Sequence, residues 1–344
     1  IHNSIALTLV MGVVLTIVGL LFNDPILKAI GVPSEVFSEA STYLSIYFWS
    51  LIFVMVYNMG SGILRSVGDS KRPLYFLIFS SVVNIILDFL FVKYFHFGVA
   101  GAGYATLIAQ AISAIMVMYV LMKTEDDYKV ILKEIGFDKE ILLKIIKIGL
   151  PTGFQQSIVS LSNVIVQSYI NVYGASVIAG YSVTIKIDGF VNLPLQAFNM
   201  AITTFVGQNI GAKQYDRVKK GAYITTALAT LTIACFVVIM YFFGRDFIAL
   251  FNQEKDVIDA GRLMQLTFYI VLPINQVING VLRGAGRSAV PMYVMIFSFV
   301  FLRQIYLFLI TKVTSDIVYV FLGWPTTWVV CSLIFIIYFF KVQW

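Results

Sequence analysis

SGILRSVGDSKRPLYFLIFS, residues 61–80, is written a second time as NGVLRGAGRSAVPMYVMIFS at residues 279–298. Gly62, Leu64, Arg65, Gly68, Ser70, Pro73, Tyr75, Ile78, Phe79 and Ser80 return as Gly280, Leu282, Arg283, Gly286, Ser288, Pro291, Tyr293, Ile296, Phe297 and Ser298, always 218 positions later. Each copy is a short basic loop that enters an apolar helix opened by proline. The chain is therefore expected to contain the same structural unit twice.

The surrounding composition places those units in a bilayer. Hydrophobic residues make up 59% of the chain and charged residues 12%, and the mean hydropathy is +0.89. A soluble domain carries about twice that charge. Apolar runs of spanning length, about 20 residues each, are expected at 4–22, 37–62, 73–93, 99–122, 146–172, 177–205, 220–243, 259–282, 290–311 and 317–340. That is an all-α polytopic membrane protein of about ten transmembrane helices. The period of 218 residues encloses six of these runs, and an even number keeps both repeats in the same orientation. Parallel repeats of this kind mark two-lobed transporters.

The net charge of +6 is explained by topology and needs no nucleic acid. Counted over alternate loops, 16 of the 24 basic residues fall on one side, among them Lys71, Arg72, Lys123, Lys133, Lys213, Lys220 and Arg287. That side is expected to be cytoplasmic by the positive-inside rule. The one long polar stretch, 123–147, reads as a cytoplasmic connector with room for an amphipathic surface helix. It divides the chain into a first lobe at 1–122, with four helices, and a second at 148–344, with six. Ile1 aligns with Lys219, so 148–218 has no upstream counterpart. The parent is accordingly expected to have twelve helices in a 6+6 arrangement, with the first two missing from this chain.

Ionisable and amide side chains inside the spans are the candidates for chemistry, because a charge in lipid is costly. Asp88 lies deep in 73–93 with Asn84 one turn earlier on the same face. Such a carboxylate can carry a proton, bind sodium through its oxygens, or reach water from near the outer end of its helix. Lys186 and Asp188 sit together in 177–205 and read either as a site or as a helix-end charge pair. Arg303, next to Gln304, lies mid-span, facing a cavity or snorkelling. Gln156, Ser160, Asn163, Gln167 and Asn171 share one helical face. Asn192, Gln196 and Asn199 form a second polar set, and Asn275, Gln276 and Asn279 a third around Pro273. These amides suit either a hydrated substrate path or hydrogen bonding between helices.

Other classes find little support. The two cysteines, Cys235 and Cys331, lie in apolar runs and make no disulfide framework, and the only histidines are His2 and His96. No HExxH or GxSxG occurs, so no enzyme is expected. The glycines of 206–212 lack a GK[ST] ending and follow a helix, which argues against nucleotide binding.

The paired LRSVGDSKRP and LRGAGRSAVP segments resemble those of the multidrug and toxic compound extrusion (MATE) family, bacterial members most closely. GQNIGAKQYDRVKKG at 207–221, IGLPTG at 148–153 and GVAGAGYAT at 98–106 add to the resemblance, which covers essentially the whole chain. It implies two six-helix lobes and export of amphipathic cationic compounds across the bacterial plasma (inner) membrane in exchange for H⁺ or Na⁺. It also implies a first-lobe cation site, whose motif matches Asn84, Asp88 and Thr106. A further acid of that site, on the first helix, has no match here. A second family pattern, a Glu on the seventh helix and an Asp on the tenth, is absent. Gln156, Asn163, Gln167, Asn192, Gln196, Gln276 and Asn279 become candidate cavity residues, with Asp188, Lys186 and Arg303 behind them. The expected partners are the bilayer and the substrate alone, for a monomer with no cofactor and no metal beyond a sodium ion at Asp88. The alternative is a flippase of the same superfamily for a lipid-linked oligosaccharide or another lipid-linked substrate. Its anionic headgroup would need more cavity-facing cations than Lys186 and Arg303 supply.

Overall fold

The computed structural model describes residues 1–265 and 269–341. It is helical, with no strand among the described residues. The chain divides into two compact units, Ile1–Ile145 and Ile146–Trp344.

The first unit contains α1 (His2–Ala29), α2 (Ser34–Ser66), α3 (Lys71–Asp88) and α4 (Gly98–Lys123). Helix α2 packs against α1 and α4, and α3 against α4. Pro73 stands in the first turn of α3, where its missing N–H costs nothing. Beyond Asp88 the rod continues as a π-helical turn, Phe89–Tyr94. Phe91, Phe95 and Phe97 then pack ring on ring at centroid separations of 5.8 to 6.1 Å, and Lys93 lies 4.7 Å over Phe89. Ile5, Ile63, Leu64, Phe76, Val117 and Leu121 are buried together in this unit.

The second unit contains most of α5 (Lys139–Ile170), then α6 (Ala175–Gly211), α7 (Tyr215–Ala249), α8 (Lys255–Gln265) and α9 (Leu272–Gly284). Helices α10 (Ala289–Ile296), α11 (Arg303–Val313), α12 (Ile317–Phe321) and α13 (Gly323–Lys341) follow. A π-helical turn, Phe297–Leu302, joins α10 to α11. Helix α6 packs against α7, α8 and α9, and α13 packs against α9. Leu195, Ile202, Val206, Ile233, Leu282 and Phe335 lie in the main core.

The repeat is visible in the backbone. The N–H of Asp69 donates to Leu64 O at 2.9 Å, and that of Arg287 to Leu282 O at 2.9 Å. Gly68 and Gly286 donate to Arg65 O and Arg283 O at 3.0 and 2.9 Å. Both glycines are left-handed, at φ +92° and +73°, and close the helices α2 and α9 in the same way. The copies differ in continuity. Helix α2 is one rod of 33 residues, whereas its counterpart is divided into α8 and α9, with a 3₁₀ turn at Tyr269–Val271. Pro273 occupies the place of Met55, and Pro325 that of Leu107, and each stands in the first turn of a helix of the second unit, α9 and α13.

Among the described residues, seven helical stretches are long and apolar enough to cross a membrane on their own. They coincide with seven of the ten expected runs. Helices α5 and α6 have the length, at 32 and 37 residues, but their amides and hydroxyls dilute the hydropathy. The third exception, 259–282, is the divided pair α8 and α9. Side chains such as Leu21, Ile85 and Phe242 are more than two-thirds exposed, as lipid-facing residues are when no bilayer is present.

The expected surface helix in 123–147 is not formed as such. Residues 124–138 hold one 3₁₀ turn, Leu132–Glu134, and 139–147 belong to α5. The stretch is nonetheless held in place. Val130 is buried and its N–H donates to Leu121 O at 2.8 Å. Ile131 N–H donates to His2 Nε2 at 2.9 Å and Asp138 N–H to Asn3 Oδ1 at 3.1 Å. The Thr124 hydroxyl, donating to Asp126 Oδ2 at 2.8 Å, holds that carboxyl below its usual range.

Candidate functional site

Asn84 and Asp88 lie one turn apart on α3, both half-buried. Asn84 Nδ2 and Asp88 Oδ1 are sealed from solvent, and neither has a hydrogen-bond partner among the described residues. Left empty-handed, such atoms lose about 1–3 kcal/mol each. The native pair therefore needs a proton, a water or an ion to complete it. Thr106 is half-buried on α4, the helix that packs against α3. The π-turn begins at the residue after Asp88, and such turns concentrate at functional positions.

In the second unit the structure sorts the expected polar residues into three groups. Gln156, Asn163 and Gln196 are exposed. Gln167 and Gln276 are half-buried, and Gln167 donates to Asn171 Oδ1 at 2.8 Å. Asn192, also half-buried, donates to Asp188 O at 2.9 Å. Asn279, by contrast, is buried at 2% exposure, with Nδ2 at 3.3 Å from Met295 Sδ. Asn275 is buried too, donating to Trp328 O and accepting from the Ser332 hydroxyl at 2.8 Å. These two asparagines join helices, as polar groups in membrane bundles do.

The face of α5 that packs is not the one carrying the expected amide stripe. Gln155, Ser162, Val166 and Ile170 are its buried positions. Gln155 Nε2 lies 2.7 Å from Met295 Sδ, and its Oε1 accepts from Arg283 at 3.4 Å. Its helical spacing to Ser162 is present in the sequence, beside a denser run of amides on the adjacent face, of which Asn163 alone reaches Arg303.

Arg303 does not snorkel. It is 3% exposed, with Nη1 donating to Asn163 Oδ1 at 3.3 Å and Nη2 to Thr327 Oγ1 at 3.2 Å. Its guanidinium lies 5.2 Å from the Phe299 ring and 5.6 Å from that of Trp324. These stacked contacts suit a flat, weakly hydrated cation. Gln304 donates to the Ser162 hydroxyl at 3.0 Å. Lys186 and Asp188 form no ion pair with each other among the described residues. Lys186 is exposed, 5.5 Å over the Phe251 ring, and half-buried Asp188 turns inward to accept from the Tyr269 hydroxyl.

Long apolar helices that carry ionisable and amide groups within them define a polytopic membrane protein of the transporter kind. The MatE family's sequence profile matches residues 1–90 and 151–309, and the chain belongs to this family. It is 29% identical to "Probable multidrug resistance protein YoeA" of Bacillus subtilis, over 99% of this chain and 76% of that one. It is 30% identical to "Probable multidrug resistance protein YpnP" of the same species, over 83% of this chain and 64% of that one. Among solved structures, a MATE protein in its bent conformation superposes with a TM-score of 0.90 at 23% identity. The superposition takes in 97% of this chain and 75% of that one. A MOP superfamily transporter from Pyrococcus furiosus gives 0.91 at 22% identity, over 98% and 77%. The chain thus spans about two-thirds to three-quarters of the length of these relatives.

Proposed function

We propose that this protein exports amphipathic cationic compounds across a bacterial plasma membrane by antiport with H⁺ or Na⁺, and that Asp88 is the coupling residue. In this reading the basic loops and residues 124–138 face the cytoplasm. The observation that carries the assignment is the solvent-sealed pair Asn84 Nδ2 and Asp88 Oδ1, without hydrogen-bond partners among the described residues, within a membrane span. Relatives described as multidrug resistance proteins, and the "Multidrug export protein MepA" of Staphylococcus aureus at 23% identity, support the substrate class.

The mechanism follows from the energetics of that pair. A proton or sodium ion neutralises Asp88 and supplies the missing partner. Its binding drives transport only if the affinity differs between the two access states, since an ion with equal affinity for both shifts nothing. The π-turn beside Asp88 is a natural element to change with occupancy. Asn84 and Thr106 would add oxygens or hydrogen bonds around the same point.

The test is efflux of ethidium from proteoliposomes under an imposed proton or sodium gradient, comparing the full-length protein with its Asp88→Asn variant. Gradient-dependent efflux lost in the variant is the expected result, and the effective gradient names the ion. Unchanged efflux by a folded Asp88→Asn protein would sink the assignment.

A further inference from the structure

Asp188 is the second acid inside the membrane helices, and its surroundings differ from those of Asp88. It lies in α6, and its carboxylate accepts from the Tyr269 hydroxyl. Tyr269 opens the 3₁₀ turn between α8 and α9. The corresponding position of the first repeat is Leu51, inside unbroken α2. A hydrogen bond therefore ties the acid of α6 to the start of that 3₁₀ turn.

No cation neutralises Asp188 among the described residues. Lys186 is turned outward onto Phe251, and Arg262 of α8 donates to the carbonyls of Met240 and Tyr241. Arg245 of α7 is paired with Asp259 of α8. Arg303 is engaged by Asn163 and Thr327. The facing surface of α7 is apolar: Phe236, Val237 and Met240. With Ile187, Val191, Asp188 and Tyr269 they enclose a cavity of about 10 Å³, room for one water molecule at most.

The site can hold a proton and little else. A hard metal ion gathers about six or more oxygens, and among the described residues the polar side chains lining the cavity are the Asp188 carboxylate and the Tyr269 hydroxyl. A carboxylate is the stronger acceptor because its bond from Tyr269 is charge-assisted, and protonation removes about half of that strength. We propose that Asp188 is a second proton-binding site, whose protonation weakens the bond from Tyr269 and loosens the 3₁₀ turn at Tyr269–Val271. Discontinuous membrane helices gather at such sites because their loose backbone ends respond to local charge. The site stands independently of Asp88, since the two acids are in different units and Asp188 can be observed without transport.

Infrared difference spectra of the full-length protein in lipid, taken between about pH 9 and about pH 5 to bracket carboxyl titration, test the proposal. One carboxylic-acid band gained on acidification is expected to vanish in Asp188→Asn and to remain in Asp88→Asn. Tyr269→Phe, which keeps the acid, is expected to shift that band without removing it. Hydrogen exchange across 269–284 should rise severalfold on acidification in the wild type and stay constant in Asp188→Asn. An unaltered spectrum in both Asp188→Asn and Tyr269→Phe overturns the site. Exchange that ignores pH in the wild type overturns the coupling to the turn.

Discussion

The two repeats place different chemistry on one frame. In the first unit, α3 carries Asn84 and Asp88, with open valences and Thr106 across on α4. The same three positions of the second unit are Leu302, Tyr306 and Trp324. Beside them Arg303, one residue beyond the counterpart of Asn84, is buried and stacked on Trp324. Where the first repeat carries a carboxylate and an amide without hydrogen-bond partners among the described residues, the second carries a buried guanidinium. The comparison teaches that duplication conserved the turn and the helix frame, while the intramembrane charges were free to diverge in sign and function.

The largest expected effect separates the copies by activity. Asp88→Asn should lower gradient-driven dye efflux on the order of tenfold or more, whereas Tyr306→Phe at the equivalent position should leave it near wild type. Equal losses in both variants would end the distinction between these two equivalent positions. Next comes the buried cation. Arg303→Lys removes the planar contacts to Asn163 and Thr327 and should cost about 1–3 kcal/mol in unfolding measurements.

A glycine pair sharpens the contrast in packing. A Cβ on Gly280 would lie 2.6 Å from Ile202 Cγ2 and 2.8 Å from Asn199 O, while one on Gly62 would meet nothing within 4 Å. Gly280→Ala is expected to destabilise by about 1–3 kcal/mol. Gly62→Ala should stabilise by up to about 1 kcal/mol through helix propensity. Melting temperatures of the two variants moving in the same direction would contradict this reading. The smallest effect tests the likeness of the copies. Gly68→Ala and Gly286→Ala each force a side chain into the left-handed region and should each cost about 1–2 kcal/mol.

Much of this frame was legible in the sequence because its causes are local. The repeated LR-x-x-G-x-S segment specifies a helix end, a left-handed glycine and a proline-started helix without help from distant residues. Asn84 and Asp88 were visible for the same reason, being one turn apart in an otherwise apolar run. What escaped depended on which neighbour each helix face meets. Gln155 and Gln156 differ by one position, yet one is buried against Met295 and the other exposed. The inward turn of Asp188 toward Tyr269, 81 residues away, has no local signature. The division of α8 from α9 was foreshadowed only by Pro273.

The aromatic packing at the end of α3 has an electrical consequence. Phe91, Phe95 and Phe97, with Tyr94 and Lys93, form the kind of girdle that anchors a helix at the lipid headgroups. Asp88 precedes Tyr94 by six residues, or about 9 Å of helix, in a hydrocarbon layer of about 30 Å. An ion reaching Asp88 from that face crosses only about a third of the membrane field. Its binding then gains about 0.7 kcal/mol per 100 mV, a third of the full value for one charge. Occupancy of Asp88 would accordingly follow the ion's concentration far more closely than the membrane voltage.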